Sequence, residues 1–307
     1  MKCSIGVFAY NEEKNIGKLL EAILNQKTNK VEAEEIFVVA SGCTDQTVSI
    51  AKEFEKKDAR VKVLVQEIRE GKYSAINLFL RAAKNDILVM ESGDTIPEKD
   101  TIEKLVNVFE DPKVGIAGTR PIPINDPKTF LGFTTHLLWD LHHQISLKNP
   151  KAGEMVAFRK VFYQIPPTAV DEACIEGIIK NRGYKIVYVP EALVYNKGPE
   201  SISDFLKQRR RIHCGHFYLK KTAGYEVSTM NPWMTFILVL KNIKFNFRSI
   251  IFTIGAILLE AWGKALGWWD YKIKRKTHFV WDMAKTTRDL NAKGNPASKI
   301  QEKLKHE

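Results

Sequence analysis

Ile87-Leu88-Val89-Met90-Glu91-Ser92-Gly93-Asp94-Thr95-Ile96-Pro97 is the stretch on which the fold turns. Ile87 to Met90 form an unbroken apolar run, the pattern of a central strand covered on both faces. Ser92-Gly93 ends it, and Asp94 follows just past its carboxyl end, the edge at which open α/β sheets bind ligands. A carboxylate in that position suits a divalent cation and, through it, a diphosphate. The same residue also suits an N-cap for a helix beginning near Pro97. Taken alone, the stretch leaves both roles open.

Working outward, strand-like and helix-like patterns alternate. Lys2 to Ala9 reads as a strand running into Tyr10-Asn11-Glu12-Glu13, with a helix through about Gln26 whose stripe is Leu19, Leu20, Ile23 and Leu24. Glu35 to Val39 is a second strand, and Thr44 and Asp45 open the helix after it. Val61 to Val65 is a third strand. Gly71-Lys72 starts a helix to Ala83, and a helix from Pro97 to Phe109 precedes a strand at Val114 to Gly118. Further on come a helix from Phe130 to Leu147, a strand from Gly153 to Arg159 and a helix from Asp171 to a Gly183 cap. A strand at Lys185 to Val189 and a basic helix from Ser201 to Leu219 complete the pattern. Such alternation predicts an α/β fold with a mainly parallel sheet and helices on both faces.

Charge divides the chain unevenly. Residues 1–200 carry 27 Lys and Arg against 28 Asp and Glu, a net of −1; residues 201–307 carry 20 against 8, a net of +12. A basic last third suits a polyanion or an anionic membrane surface. Here it also contains the apolar runs Trp233 to Leu240 and Ile250 to Leu259, with Trp262, Trp268, Trp269 and Tyr271 following. Those runs suit lipid better than bases, so no nucleic-acid partner is expected. Glu260 and Lys264 interrupt the runs, which favours helices lying in a membrane interface over spanning ones. Cys3, Cys43, Cys174 and Cys214 have no metal-type spacing, and with no signal-like start the catalytic part is expected at the cytoplasmic face of the cell membrane.

In order, YNEE, ASGCTDQT, REGKYSAIN, ESGDT, DEA and QRRRI resemble the motifs of family 2 glycosyltransferases of GT-A (Rossmann-like) fold. The resemblance covers about residues 1–220. It implies a nucleotide-sugar donor held by Tyr10, Asn11, Glu12, Ser41, Lys72, Ser92, Gly93, Gln208 and Arg211. The family's DxD metal motif aligns on Ser92-Gly93-Asp94, so Asp94 alone would carry Mg²⁺ or Mn²⁺. The catalytic carboxylate aligns with Glu172, with Asp171 as partner, in reversed order. QxxRW aligns on Gln208 to Ile212, and Ile212 in place of tryptophan argues against processive polymer synthesis. The DDGSTD-like segment keeps only its glycine and closing Thr-Asp. Without chemistry, Asp45, Asp171 and Glu172 read as helix-start acids and His213/His216 as a structural pair.

The expectation is a glycosyltransferase acting on a UDP- or GDP-sugar and a lipid-linked or polyprenyl-phosphate acceptor, inverting and metal-assisted. Residues 1–225 would form the GT-A domain, 1–118 its nucleotide-binding half and 119–225 its acceptor half. Residues 226–290 would be membrane-associated helices and 291–307 a basic tail. The acidic positions lost at Ala40, Ser41 and Ser92 leave a binding or scaffold protein as the alternative. A sugar nucleotidyltransferase would need a Gly-rich, Arg-bearing loop where Ala9-Tyr10-Asn11-Glu12 stands.

Overall fold

The computed structural model describes residues 1–230, 237–239 and 246–290. The strands are β1 (Lys2–Ala9), β2 (Glu32–Ser41), β3 (Val61–Gln66), β4 (Ile87–Ser92), β5 (Thr95–Pro97), β6 (Val114–Pro123), β7 (Val156–Arg159) and β8 (Lys185–Asn196). They form one sheet in the order β3-β2-β1-β4-β7-β6-β8-β5. The helices are α1 (Ile16–Leu24), α2 (Thr47–Lys57), α3 (Lys72–Ala82), α4 (Thr101–Asn107), α5 (Phe130–Lys148), α6 (Asp171–Asn181), α7 (Ile202–Ala223) and α8 (Phe247–Lys272).

β1 pairs in parallel with β2 and β4, β2 with β3, and β6 with β8. β7 enters antiparallel between β4 and β6, and β5 lies antiparallel to β8. The apolar strand runs follow from this placement. Cys3, Ile5, Val7 and Val89 face a layer with Ile16, Leu19 and Leu20 of α1 and Ile102 and Leu105 of α4. Phe8, Leu88 and Met90 face the opposite layer with Ile76, Phe79 and Leu80 of α3 and Ile175 and Ile179 of α6. A strand buried on both faces has no polar side to show, so period-2 alternation vanishes. Each fully buried side chain of this size contributes about 1.5–3 kcal/mol.

Several boundaries differ from the sequence expectation. After Asp94 the chain enters β5, with Thr95, Ile96 and Pro97 opposite Asn196, Tyr195 and Val194. The next helix starts only at Thr101 and its N-cap is Asp100, so Asp94 caps nothing. Tyr10 to Asn15 form a turn before α1, in which Asn11 takes a left-handed φ of 54°. Asp45 accepts from the Thr47 N–H at 3.0 Å, the helix-start role expected of it. Gly183 ends α6 at φ 83°, donating to the Lys180 carbonyl at 2.9 Å.

The C-terminal part is where the structure adds most. Of the run Trp233 to Leu240, only 237–239 are described, as helix; the tail 291–307 lies outside the described residues. The second run is part of α8, a continuous helix of 26 residues, long and apolar enough by length and composition to cross a membrane. Glu260 does not break it because Arg209 and His213 of α7 take up its carboxylate. Thr253, Ala256, Gly263, Gly267 and Asp270 form its buried stripe, and Arg210 and His278 close on the fully buried Asp270. A Cβ at Gly263 would stand 2.7 Å from Arg209 Cβ, so the small residues set how closely α8 approaches α7. Past α8 the chain returns across the sheet edge. Cys214 Sγ meets the Lys276 carbonyl at 3.2 Å, Phe279 packs edge-on to Tyr73 and Tyr218, and the Leu290 N–H reaches Asn15 Oδ1 at 3.3 Å.

Candidate active site

A cavity of about 480 Å³ opens along the carboxyl edge of β1, β2 and β4, within the size range of small-ligand sites. Three neighbourhoods line it. At the β1 end, two guanidinium groups lie near the Tyr10 ring, Arg69 at 4.0 Å and Arg288 at 5.7 Å from its centroid. Arg288 is anchored by the Asn11 carbonyl at 2.7 Å and the Tyr10 carbonyl at 2.5 Å. Glu12 is buried, takes a hydrogen bond from Asn15 Nδ2 at 2.9 Å and stands 3.6 Å from Arg288. Burial, then the nearby Asp94 charge, push its carboxyl up to about 8. Ser41 also lines the cavity, its hydroxyl donating to Gln66 at 2.7 Å.

Asn11 is placed differently. Its carboxamide is consumed in tying two loops together, accepting from the Thr44 N–H at 2.7 Å and donating to Thr44 Oγ1 at 3.1 Å. It does not line the cavity, so its side chain holds the β1 turn.

The second neighbourhood is the end of β4. Gly93 N–H bonds the Phe8 carbonyl at 2.9 Å, and a Cβ there would stand 2.9 Å from Glu12 Cγ and 3.3 Å from the Phe8 carbonyl. Only glycine lets the two loops close, which turns Asp94 into the cavity beside Glu12. Asp94 makes no hydrogen bond or ion pair among the described residues, an open carboxylate beside a second carboxyl. No group of three or more His, Cys, Asp or Glu among the described residues is arranged to hold a metal. A cation there would draw few ligands from protein.

The third neighbourhood joins the predicted catalytic residues. Asp171 and Glu172 open α6, and Lys72 opens α3 from the facing side of the cavity. Lys72 Nζ stands 2.7 Å from Asp171 Oδ2, 2.9 Å from Glu172 Oε1 and 3.1 Å from Ser92 Oγ. Burial opposes the Lys72 charge, but the two carboxylates outweigh it and raise its pKa. Burial alone would raise Asp171; Lys72, with Arg211 assisting, holds it below the ordinary carboxylate range. Glu172 is raised, by burial first and by the Asp171 charge second. The pair is thus split into a fixed carboxylate and one poised nearer neutrality.

Gln208 and Arg211 of α7 reach the same cavity. Arg211 stacks on Trp281 with its guanidinium 4.2 Å from the ring centroid. Trp281, an aromatic ring that arrives from beyond α8, lines the same cavity as Ile212. Arg69, Trp281 and Arg288 were not foreseen from sequence, nor were Trp139, His142, Lys151 and Glu154 in the same cavity. For the segment 274–290 no periodicity could have pointed to the site, because only the return of the chain across the sheet brings it there.

Comparison with known proteins agrees with this geometry. The model for "Glycosyl transferase family 2" matches residues 4–170, more than half of the chain. The poly-beta-1,6-N-acetyl-D-glucosamine synthase of Staphylococcus aureus (strain COL) is 26% identical over 216 residues, 66% of this chain and 51% of that protein. The chain thus spans about half the length of that relative. Glycosyltransferase AglE of Haloferax volcanii is 30% identical over 115 residues, 38% of each chain. Among solved structures, a mannosyltransferase from Pyrobaculum calidifontis aligns with TM-score 0.57 and 21% identity over 90% of this chain and 81% of its own. Glucosyl-3-phosphoglycerate synthase from Mycobacterium tuberculosis aligns with TM-score 0.53 and 19% identity over 74% and 81%. The chain belongs to glycosyl transferase family 2 and has the GT-A fold.

Proposed function

We propose that this chain transfers a sugar, with inversion at the anomeric carbon, from a UDP- or GDP-sugar to a lipid-linked or polyprenyl-phosphate acceptor at the cytoplasmic face of the membrane. The observation that carries the reading is Glu172, raised toward neutrality by burial and by Asp171, at the wall of a cavity that also holds Asp94 and Arg211. A base so tuned can take the proton of an acceptor hydroxyl as its oxygen attacks the anomeric carbon. Asp171 stays ionised and keeps Lys72 in place. Lys72 and Arg211 supply positive charge where the leaving diphosphate accumulates negative charge. Tyr10, Arg69 and Arg288 line the β1 end of the cavity together, and their planar groups suit stacking with the nucleotide base.

Asp94 fits a divalent cation shared with the donor. Mg²⁺ and Mn²⁺ in such sites take one or two carboxylates and fill the rest of the shell with phosphate oxygens and water. Asp94, with Glu12 beside it, is a donor set of that kind, and the bound ion would neutralise the diphosphate charge. The Pyrobaculum neighbour was crystallised with GDP-Man and Mn²⁺, and the mycobacterial one with Mg²⁺ and UDP.

The membrane part of the reading rests on α8. Phe247, Ile251, Ile254, Leu258, Trp262, Trp269 and Ile273 follow one another at helical spacing, and each is about half exposed or more. Lys272, Lys274, Arg275 and Lys276 follow at its C-terminal end. An apolar stripe ending in a basic cluster suits a helix lying in an anionic interface. The opposite stripe is clamped to α7, a helix of the catalytic domain.

The test is transfer of radiolabel from UDP-Glc, UDP-GlcNAc and GDP-Man into butanol-extractable product, with vesicles of membrane polar lipids. Label extracted with the wild type and not with Glu172→Gln supports the reading. Equal transfer by both proteins overturns the role of Glu172.

A further inference from the structure

α8 ends at Lys272, and the chain beyond it, to Leu290, carries Trp281 and Arg288 into the wall of the catalytic cavity. We propose that this strap is a switch coupling the membrane to the donor site. An anionic lipid surface at the end of α8 favours the closed strap of this structure, and the closed strap binds nucleotide more tightly. The inference rests on the reading above, that α8 lies on an anionic membrane and that the cavity takes a nucleotide diphosphate, and adds the link between the two.

The first observation is where the strap is tied. Asp270, in the last turn of α8, has no exposed surface, and its carboxylate joins α8 to Arg210 of α7 and to His278 of the strap, whose Nε2 lies 2.8 Å away. The Lys276 N–H donates to the Asp270 carbonyl at 2.9 Å, and the Lys276 carbonyl accepts from Cys214 Sγ at 3.2 Å. Phe279 follows, and a Cβ at Gly71 would stand 2.4 Å from its carbonyl oxygen. Gly71 is the N-cap of α3, the helix that Lys72 opens. Trp281 then meets the Arg211 guanidinium, and Arg288 bonds the Tyr10 and Asn11 carbonyls. Direct contacts thus join the end of α8 to the surroundings of Lys72, Arg211 and Tyr10.

The second observation is strain in the bend. Three described residues other than glycine take a left-handed φ, and two of them lie here, Arg275 at 51° and His278 at 52°. Such conformations are disfavoured for residues with a Cβ, persist only where neighbouring contacts hold them, and recur at switch regions. Lys272, Lys274, Arg275 and Lys276 place four like charges within five residues, all exposed and in no ion pair among the described residues. Their repulsion opposes the tight bend in water. Headgroup anions at the surface where the apolar stripe of α8 rests would cancel that repulsion and stabilise the strap as it stands. A ligand that prefers the closed strap then binds better, and by reciprocity bound nucleotide strengthens membrane binding by the same factor.

The experiment titrates the full chain calorimetrically with UDP and GDP in Mn²⁺. It is run alone, with phosphatidylcholine vesicles, with phosphatidylcholine–phosphatidylglycerol vesicles and with glycerol 3-phosphate, the free headgroup anion. Sedimentation with the mixed vesicles is measured in parallel, with and without saturating nucleotide. The anionic vesicles should tighten nucleotide binding at least about fivefold, and nucleotide should strengthen sedimentation by the same factor. Neutral vesicles and glycerol 3-phosphate should leave nucleotide affinity unchanged. His278→Asn tolerates the left-handed φ but is too short to reach Asp270, and it leaves the Arg210–Asp270 pair holding α8 to α7. It should keep both binding activities and bring both ratios close to one, whereas loss of a merely structural contact would weaken binding and leave the ratios alone. Lys274→Gln with Lys276→Gln, both on the surface, should lower the ratios without lowering the thermal midpoint. A wild-type ratio of one with both ligands bound, equal tightening by neutral vesicles or by glycerol 3-phosphate, or undiminished coupling in His278→Asn would overturn the inference. Absence of vesicle binding would overturn it together with the membrane reading of α8, and absence of nucleotide binding together with the glycosyl-transfer reading.

Discussion

Lys72→Ala is the perturbation whose consequence the structure determines most tightly. The ammonium is 17% exposed and faces carboxylates that are 3% and 24% exposed, so solvent screens the triad little. Removing the cation leaves two carboxylates sharing one buried site. Breaking a buried pair in this way costs about 3–5 kcal/mol. In the native protein Asp171 has a lowered pKa, so its stabilising contribution is full above the ordinary carboxylate range and is lost only as pH falls through the lowered value. Without Lys72 both carboxyls are driven upward, and a raised acid destabilises the fold increasingly as pH rises past its unfolded value. The deficit of the variant should therefore be large at pH 7 and smaller near pH 4, where the variant's raised carboxyls are protonated while the native protein still keeps most of the Lys72–Asp171 contribution. Urea unfolding in a non-ionic detergent would read it as a midpoint lowered by about 1–2 M at pH 7. Lys72→Ala combined with Asp171→Asn should recover most of the loss. A Lys72→Ala protein as stable as wild type at pH 7, or a deficit equal at both pH values, would refute the reasoning.

Glu172→Gln should lower kcat by about 10²–10⁴ with nucleotide affinity preserved. In the wild type, activity should fall on the acid side at a pH above the ordinary glutamate value, because Glu172 must lose its proton to act and its pKa is raised; an acid limb at the ordinary value would contradict the assignment. Leu258→Glu with Trp262→Glu removes two exposed apolar side chains from the α8 stripe, each worth about 1–2 kcal/mol on insertion, and adds two negative charges. Sedimentation with anionic vesicles should then show at least tenfold weaker binding with nucleotide affinity unchanged; undiminished binding would exclude this face. Point substitutions serve better here than truncation at 225, which would also remove Trp281 and Arg288 from the catalytic cavity.

Much of the fold was legible in the chain because its core strands are covered on both faces. Ile87 to Met90 can be unbroken only where α1 and α4 lie on one side and α3 and α6 on the other. The helix-opening positions of Lys72 and Asp171 were legible too, since helix starts leave local signals. What the sequence could not show is non-local. β7 slips antiparallel between β4 and β6, and β5 intervenes after Asp94, because partners distant in the chain complete the sheet. Asn11 looked like a nucleotide contact, yet its short amide is held by Thr44 across two loops. Arg69, Trp281 and Arg288 carry no pattern of their own and enter the site only through the path of the chain. The charges at Glu260 and Lys264 break up the apolar runs of the sequence, yet α8 continues through both, and α7 brings Arg209 and His213 to meet Glu260.

The central claim is that Asp94 and the Tyr10 platform together hold a metal-bound nucleotide beside Glu172. Calorimetric titration of the protein with UDP and with GDP, in Mn²⁺ or in EDTA, tests it most directly. The account predicts saturable binding of a nucleotide in Mn²⁺, weakened at least tenfold both by EDTA and by Asp94→Ala. Binding of neither nucleotide, or equal binding with and without the metal and Asp94, would contradict it.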